Sequence, residues 1–115
     1  MSTKPRIVVV DNKDYERAYL VRLAEEAGCE VVGTAASGDE GLALVQELNP
    51  DIVLTDFVMK VPGSKIAWEI TIPTIIVSTD MDDLVKETLR DIGDHVVPFD
   101  KYDRDNIITA IKQRS

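Results

Sequence analysis

Asp51-Ile52-Val53-Leu54-Thr55-Asp56 is a short apolar run that ends in a carboxylate. Its four uncharged residues, rich in β-branching, follow Asn49-Pro50. They are too few for a helix and read as a buried strand. Helical segments on both sides place such a strand in a parallel sheet covered on each face. In sheets of that kind the ligand crevice lies beyond the carboxyl ends of the strands, where strand order reverses. Asp56 stands at that end.

Upstream, Arg6-Ile7-Val8-Val9-Val10 is a second apolar run, closed by Asp11 and Asn12. Leu20, Leu23, Ala24 and Ala27 follow at i, i+3, i+4 and i+7, which predicts a helix over residues 14–27 stopped by Gly28. Residues 29–35 carry a weaker strand centred on Val31 and Val32. Ser37 and Glu40 have the capping-box spacing ahead of a helical face of Gly41, Leu44, Val45 and Leu48. Downstream, Pro62-Gly63 marks a loop, and residues 64–70 hold barely two helical turns with Ile66, Ala67 and Ile70 inward. Pro73-Thr74-Ile75-Ile76-Val77 is the next strand, ending in Ser78-Thr79. Met81, Leu84, Val85, Thr88 and Ile92 predict a helix capped by Thr79 or Asp80 and closed by Gly93. His95-Val96-Val97-Pro98-Phe99 is a last strand, confined to a sheet edge by its proline. Asp103 caps a final helix with Ile107, Ala110 and Ile111 inward, and Lys112 and Arg114 suit its C-terminal dipole.

Five strands alternate with five helices. The first, third and fourth strands read as buried on both faces, the second and fifth as edges. That pattern predicts a three-layer α/β fold of the flavodoxin-like type, a five-stranded parallel sheet of order 2-1-3-4-5 with right-handed crossovers. The 115 residues make a single domain, 1–115, and 44% hydrophobic against 30% charged residues is an ordinary globular composition. A net charge of −8 argues against direct nucleic-acid contact, since phosphate backbones are bound by clustered Lys and Arg. No stretch is long and apolar enough to span a membrane, and no apolar signal region follows Met1. The single Cys29 reads as a buried thiol in a cytoplasmic protein.

Polar groups converge at one end of this sheet: Asp11 and Asn12 after the first strand, Asp56 after the third, Ser78 after the fourth, Lys101 after the fifth. Oxygens gathered without counter-charge hold a cation or shift a pKa upward. Carboxylates with backbone carbonyls suit Mg²⁺. An aspartate beside Mg²⁺, a hydroxyl and a lysine is the equipment for an aspartyl-phosphate. No glycine-rich loop follows the first strand, which sets aside a nucleotide or flavin enzyme on this fold.

Val8-Val9-Val10-Asp11-Asn12, then Pro50 through Asp56 with Met59 three residues later, then Ile75-Ile76-Val77-Ser78, resemble the receiver domains of two-component response regulators over nearly the whole chain. The resemblance implies that Asp56 accepts a phosphoryl group from a histidine kinase or phosphotransfer protein. It implies Mg²⁺ held by Asp11, Asn12, Asp56 and the carbonyl of Val58, with Ser78 and Lys101 as switch and phosphate contacts. A downstream effector would read the face made by the fourth helix, fifth strand and fifth helix, from a monomer or a phosphorylation-dependent dimer.

The sequence also departs from the family. Asn12 replaces the second of two acids, and the proline expected after Met59 is displaced to Pro62. The lysine after the fifth strand is normally followed by proline, whereas Val97 precedes Pro98 and Lys101 precedes Tyr102. Lys101 is chosen because the spacing from Gly93 through Lys101 to Ile111 fits. Phe99 or Tyr102 substitutes for the missing aromatic, Thr79 is bulkier than the usual neighbour of the switch hydroxyl, and Lys60 is a loop charge first and a phosphate contact second. Trp68 reads as core, and His95 has no metal role. These departures define the alternative, a degenerate pseudo-receiver that acts through protein contact without phosphorylation.

Overall fold

A computed structural model of the chain describes residues 4–57 and 64–114. The elements are β1 (Arg6–Val10), α1 (Asp14–Glu26), β2 (Glu30–Ala35), α2 (Gly38–Leu48), β3 (Ile52–Asp56), α3 (Ser64–Glu69), β4 (Thr74–Ser78), α4 (Asp83–Arg90), β5 (Val96–Asp100) and α5 (Arg104–Arg114). The strands form one sheet of order β2-β1-β3-β4-β5, parallel throughout. This is the flavodoxin-like arrangement read from the sequence, with Pro98 on the edge strand β5.

Successive strand residues point to opposite faces. Ile7, Val9, Ile52, Leu54, Ile75 and Val77 pack against Leu20 and Leu23 of α1 and Ile107 and Ile111 of α5. On the other face Val8, Val10 and Val53 meet Val45 of α2 and Ile66 of α3, while Ile76 and Val96 meet Ala67 and Leu89. β3 and β4 are buried along their whole length, which is why their sequences are continuous apolar runs rather than alternating ones.

Local signals set the element ends. Gly28 has φ 88° and stops α1 where a Cβ would be strained. Asn49, at φ 47°, caps α2 immediately before Pro50. The Ser37 Oγ accepts from Glu40 N–H at 3.2 Å, and Glu40 reaches back to Ala36 N–H rather than to Ser37. A Cβ on Gly41 would stand 2.7 Å from side-chain atoms of both Val10 and Ile66, so glycine lets α2 approach β1 and α3.

The fourth helix corrects the sequence reading, and the fifth agrees with it. α4 is capped by Asp82, whose carboxylate accepts from Val85 N–H at 2.8 Å, not by Thr79 or Asp80. Its inward residue is Leu89, with Val85, Met81 and Ile92 partly buried beside it. Leu84 is 72% exposed, and Thr88 is exposed too. Ahead of α5, Asp103 accepts the Ile107 N–H through its backbone carbonyl, and its carboxylate binds Asn106 Nδ2. Trp68, expected in the core, is 66% exposed. α3 is a six-residue helix whose inward positions are already filled by Ile66 and Ala67.

Candidate functional site

Lys101 decides the geometry at the C-terminal end of the sheet. Its Nζ lies 3.0 Å from Asp11 Oδ2, 2.5 Å from Glu16 Oε2 and 2.9 Å from Asp56 Oδ1. All four side chains are buried. The lysine follows β5, where its N–H donates to the Ser78 carbonyl at 2.9 Å and its own carbonyl accepts from Tyr19 Oη at 3.1 Å. With both backbone groups anchored, the side chain runs back across the strand ends toward α1. Asp11 is fixed in turn, its Oδ1 accepting the Lys13 N–H at 3.0 Å.

One cation shared by three carboxylates leaves a surplus of negative charge. Burial pushes the Asp56 carboxyl above its ordinary range, and Lys101 offsets this only in part while Asp11 and Glu16 add to it. Burial opposes charge on Glu16 as well, but the hydrogen bond and charge of Lys101 outweigh it and hold that carboxyl below its usual value. Burial would also neutralise Lys101, yet hydrogen bonds to Glu16, Asp56 and Asp11 keep it protonated, well above the ordinary lysine range.

Glu16 is the residue the sequence reading missed. It lies four residues before Leu20, on the apolar face that continues through Leu23, Ala24 and Ala27. A carboxylate on that face was the available signal. Its Oε1 accepts from Tyr102 Oη at 3.3 Å, and Tyr102 stands with its ring centroid 5.4 Å from that of Tyr19.

A cavity of about 250 Å³ opens beside Asp56, walled by Asn12, Glu16, Thr79, Asp80 and Lys101. Ser78 is buried at the end of β4. Its Oγ accepts from Asp80 N–H at 3.1 Å, and no hydrogen bond joins it to Asp56. Val97, the alternative position for the family lysine, packs on the α1 and α5 side of the sheet, as does Phe99. Phe99 therefore faces away from α4. His95 Nε2 meets the Ala67 carbonyl at 2.9 Å and ties β5 to α3. Val58 and Lys60 lie outside the described residues.

The donor chemistry suits the Mg²⁺ expected here. Asp11, Glu16 and Asp56 carry three negative charges against the single charge of Lys101, and Asp80 adds another at the cavity wall. Among the described residues no three acidic, histidine or cysteine side chains converge to enclose a metal ion by themselves. A cation would therefore keep much of its water, as Mg²⁺ does when substrate phosphate completes its shell.

Comparison with known proteins places this geometry. The family model described as "Response regulator receiver domain" matches residues 7–112. A protein-glutamate methylesterase/protein-glutamine glutaminase of Natronomonas pharaonis is 30% identical over 114 residues, covering 93% of this chain and 32% of that protein. Response regulator GacA of Pseudomonas viridiflava is 48% identical over 59 residues, covering 50% of this chain and 27% of that protein. The chain thus spans about a third or less of the length of these relatives. Among solved structures, the response regulator domain of Thermotoga maritima CheB aligns with TM-score 0.84 at 22% identity, over 97% of this chain and 96% of that one. A two-component response regulator of the LuxR family from Aurantimonas sp. SI85-9A1 aligns with TM-score 0.86 at 24% identity, over 96% of this chain and 84% of that one. At these identities the structural likeness is one of fold.

Proposed function

We propose, for a chain that belongs to the response regulator receiver domain family, that Asp56 is the phosphoacceptor of a two-component or phosphorelay system. Residues 1–115 are read as one receiver unit acting in the cytoplasm. The observation that carries the reading is the pairing of buried Asp56 with buried Lys101 at 2.9 Å on the wall of an open cavity.

A carboxylate oxygen of Asp56 attacks the phosphorus of a phosphohistidine on a kinase or phosphotransfer protein. The P–N bond breaks as the P–O bond forms, and the imidazole leaves with the electron pair. Asp56, Asp11 and Asn12, with the Val58 carbonyl that the family resemblance implies, would hold Mg²⁺, which would supply charge neutralisation at the phosphoryl oxygens. Lys101 supplies a second positive charge and donates to a phosphoryl oxygen. Burial of Asp56 raises the energy of its anion, and transfer to phosphorus relieves that cost by moving charge toward the open cavity.

The product carries about two negative charges and three acceptor oxygens. Ser78 now accepts from Asp80 N–H, so its own hydroxyl proton remains available to a phosphoryl oxygen. Drawing Ser78 and Lys101 inward biases the segments attached to them. The proposed output surface for the effector is accordingly α4, β5 and α5, roughly residues 81–111, with Thr79 on the path.

One observation favours the pseudo-receiver reading. Glu16 already holds Lys101 at 2.5 Å, so the lysine has a carboxylate partner of its own without phosphate, and Asn12 stands where the family has an acid. Incubation with acetyl phosphate and Mg²⁺ followed by mass spectrometry separates the two. The receiver reading expects one phosphoryl adduct, absent in Asp56→Asn; no adduct on the wild type leaves the pseudo-receiver.

A further inference from the structure

The exposed tryptophan has a setting of its own. Trp68 on α3 and Leu84 on α4 are 66% and 72% exposed, and they face each other across a groove of about 300 Å³. Its floor is Phe57, Val85, Leu89 and Ile92. Exposed apolar surface of this concentration marks an interaction site more often than scattered single residues do.

The rim has a charge pattern. Asp83 and Glu87 of α4 and Asp91, which caps its C-terminus in helical conformation, are spaced four apart, so they form one ridge beside Leu84 and Thr88. All three are exposed, and no ion pair engages them among the described residues. The cations of this helix, Lys86 and Arg90, stand three residues after Asp83 and Glu87 and line the flank of the ridge that faces away from Leu84. On α3, Lys65 is spent on Asp39 at 3.1 Å, and Glu69 flanks Trp68 at a second cavity.

We infer that the groove between α3 and α4 docks an amphipathic segment of a partner protein, one or two large apolar side chains flanked by Lys or Arg. The volume admits one or two anchoring side chains, the scale of helix-in-groove recognition. The acidic ridge selects cationic flanks. A second copy of this chain is a poor occupant, because a two-fold contact would set one ridge against its equal on molecules of net charge −8. Docking requires no phosphorylation, although Phe57 in the floor directly follows Asp56.

Trp68 is the only tryptophan of the chain, so the groove carries its own reporter. The full unmodified chain is titrated with a synthetic amphipathic peptide of Leu and Lys, and with a Leu and Glu peptide of the same apolar pattern. The expected result is a saturable blue shift of Trp68 emission with loss of acrylamide quenching, for the Lys peptide alone. Asp83→Lys/Glu87→Lys/Asp91→Lys weakens binding by roughly tenfold or more, while Glu25→Lys/Glu30→Lys/Glu47→Lys, with the same net charge, stays within about twofold. Leu84→Ala, at a position too exposed to unfold the chain, also weakens it. Equal loss in both triple variants reduces the effect to bulk attraction and overturns the proposal. So does unchanged Trp68 emission or equal binding of the Glu peptide. A concentration-dependent blue shift without peptide, with a dimer by sedimentation, assigns the groove to a second copy instead.

Discussion

Lys101 Nζ and Asp56 Oδ1 meet at 2.9 Å across the end of β4, which lies between their strands in the sheet. The contact closes the C-terminal edge over three strands and brings α1 in through Glu16. The same lysine is at once a structural tie and the cation of the candidate phosphoryl site, and the first prediction follows from that double use.

Among the described residues Lys101 is the only cation in ion pairs with Asp11, Glu16 and Asp56, so Lys101→Met leaves buried carboxylates uncompensated. Its unfolding free energy in urea should fall by about 3–5 kcal/mol, the range for breaking a buried ion pair from one side. Adding Glu16→Gln to that variant should restore part of the loss, because one stranded charge disappears. A loss below about 1 kcal/mol would show that the quartet contributes no net stability.

Asn12 stands on the cavity wall beside Asp56 and offers an oxygen without charge. Asn12→Asp should tighten Mg²⁺ binding by a few kcal/mol at most, the scale of one added charge-assisted ligand. Calorimetric titration of the two proteins checks it. Equal affinities would remove Asn12 from the ion's coordination.

Ser78→Ala should still be phosphorylated at Asp56, since no hydrogen bond joins the hydroxyl, which accepts from Asp80 N–H, to that carboxylate. Coupling should weaken, because a ligand shifts an equilibrium only through differential contacts. Amide NMR shifts across residues 81–111 on phosphorylation should be smaller than in the wild type. Shifts of undiminished size would deny Ser78 the switch role.

Cys29 is buried, and burial raises its thiol above the ordinary value of 9.0, with Asp51 adding to the effect. The folded state therefore holds a proton that the unfolded chain releases above about pH 9, so this residue's contribution falls as pH rises beyond that point. The limiting slope is about 1.4 kcal/mol per pH unit. Cys29→Ala should unfold with a visibly flatter dependence between about pH 9 and 10, read by urea denaturation. Parallel curves would mean the thiol ionises alike in both states.

Local periodicity and strand ends determined most of this molecule from sequence. Continuous apolar runs marked β1, β3 and β4 as doubly covered, Pro98 marked β5 as an edge, and strand termini located Asp11, Asp56 and Ser78 at one end of the sheet. Those features depend on neighbours a few residues apart, which a linear reading contains. Glu16 was not found that way: its place on the apolar face of α1 was the one local sign, and its partner Lys101 is 85 positions distant. Spacing from Gly93 to Ile111 already selects Lys101 over Val97 in the sequence, while its contacts with the three carboxylates come from the assembled sheet. The inward face of α4 and the exposure of Trp68 were likewise decided by packing: once Leu89, Ile66 and Ala67 fill the space against the sheet, Leu84 and Trp68 have no apolar surface left to cover them. Charge pairing and rotation about a helix axis are properties of the closed structure, and there the tertiary fold had the final word.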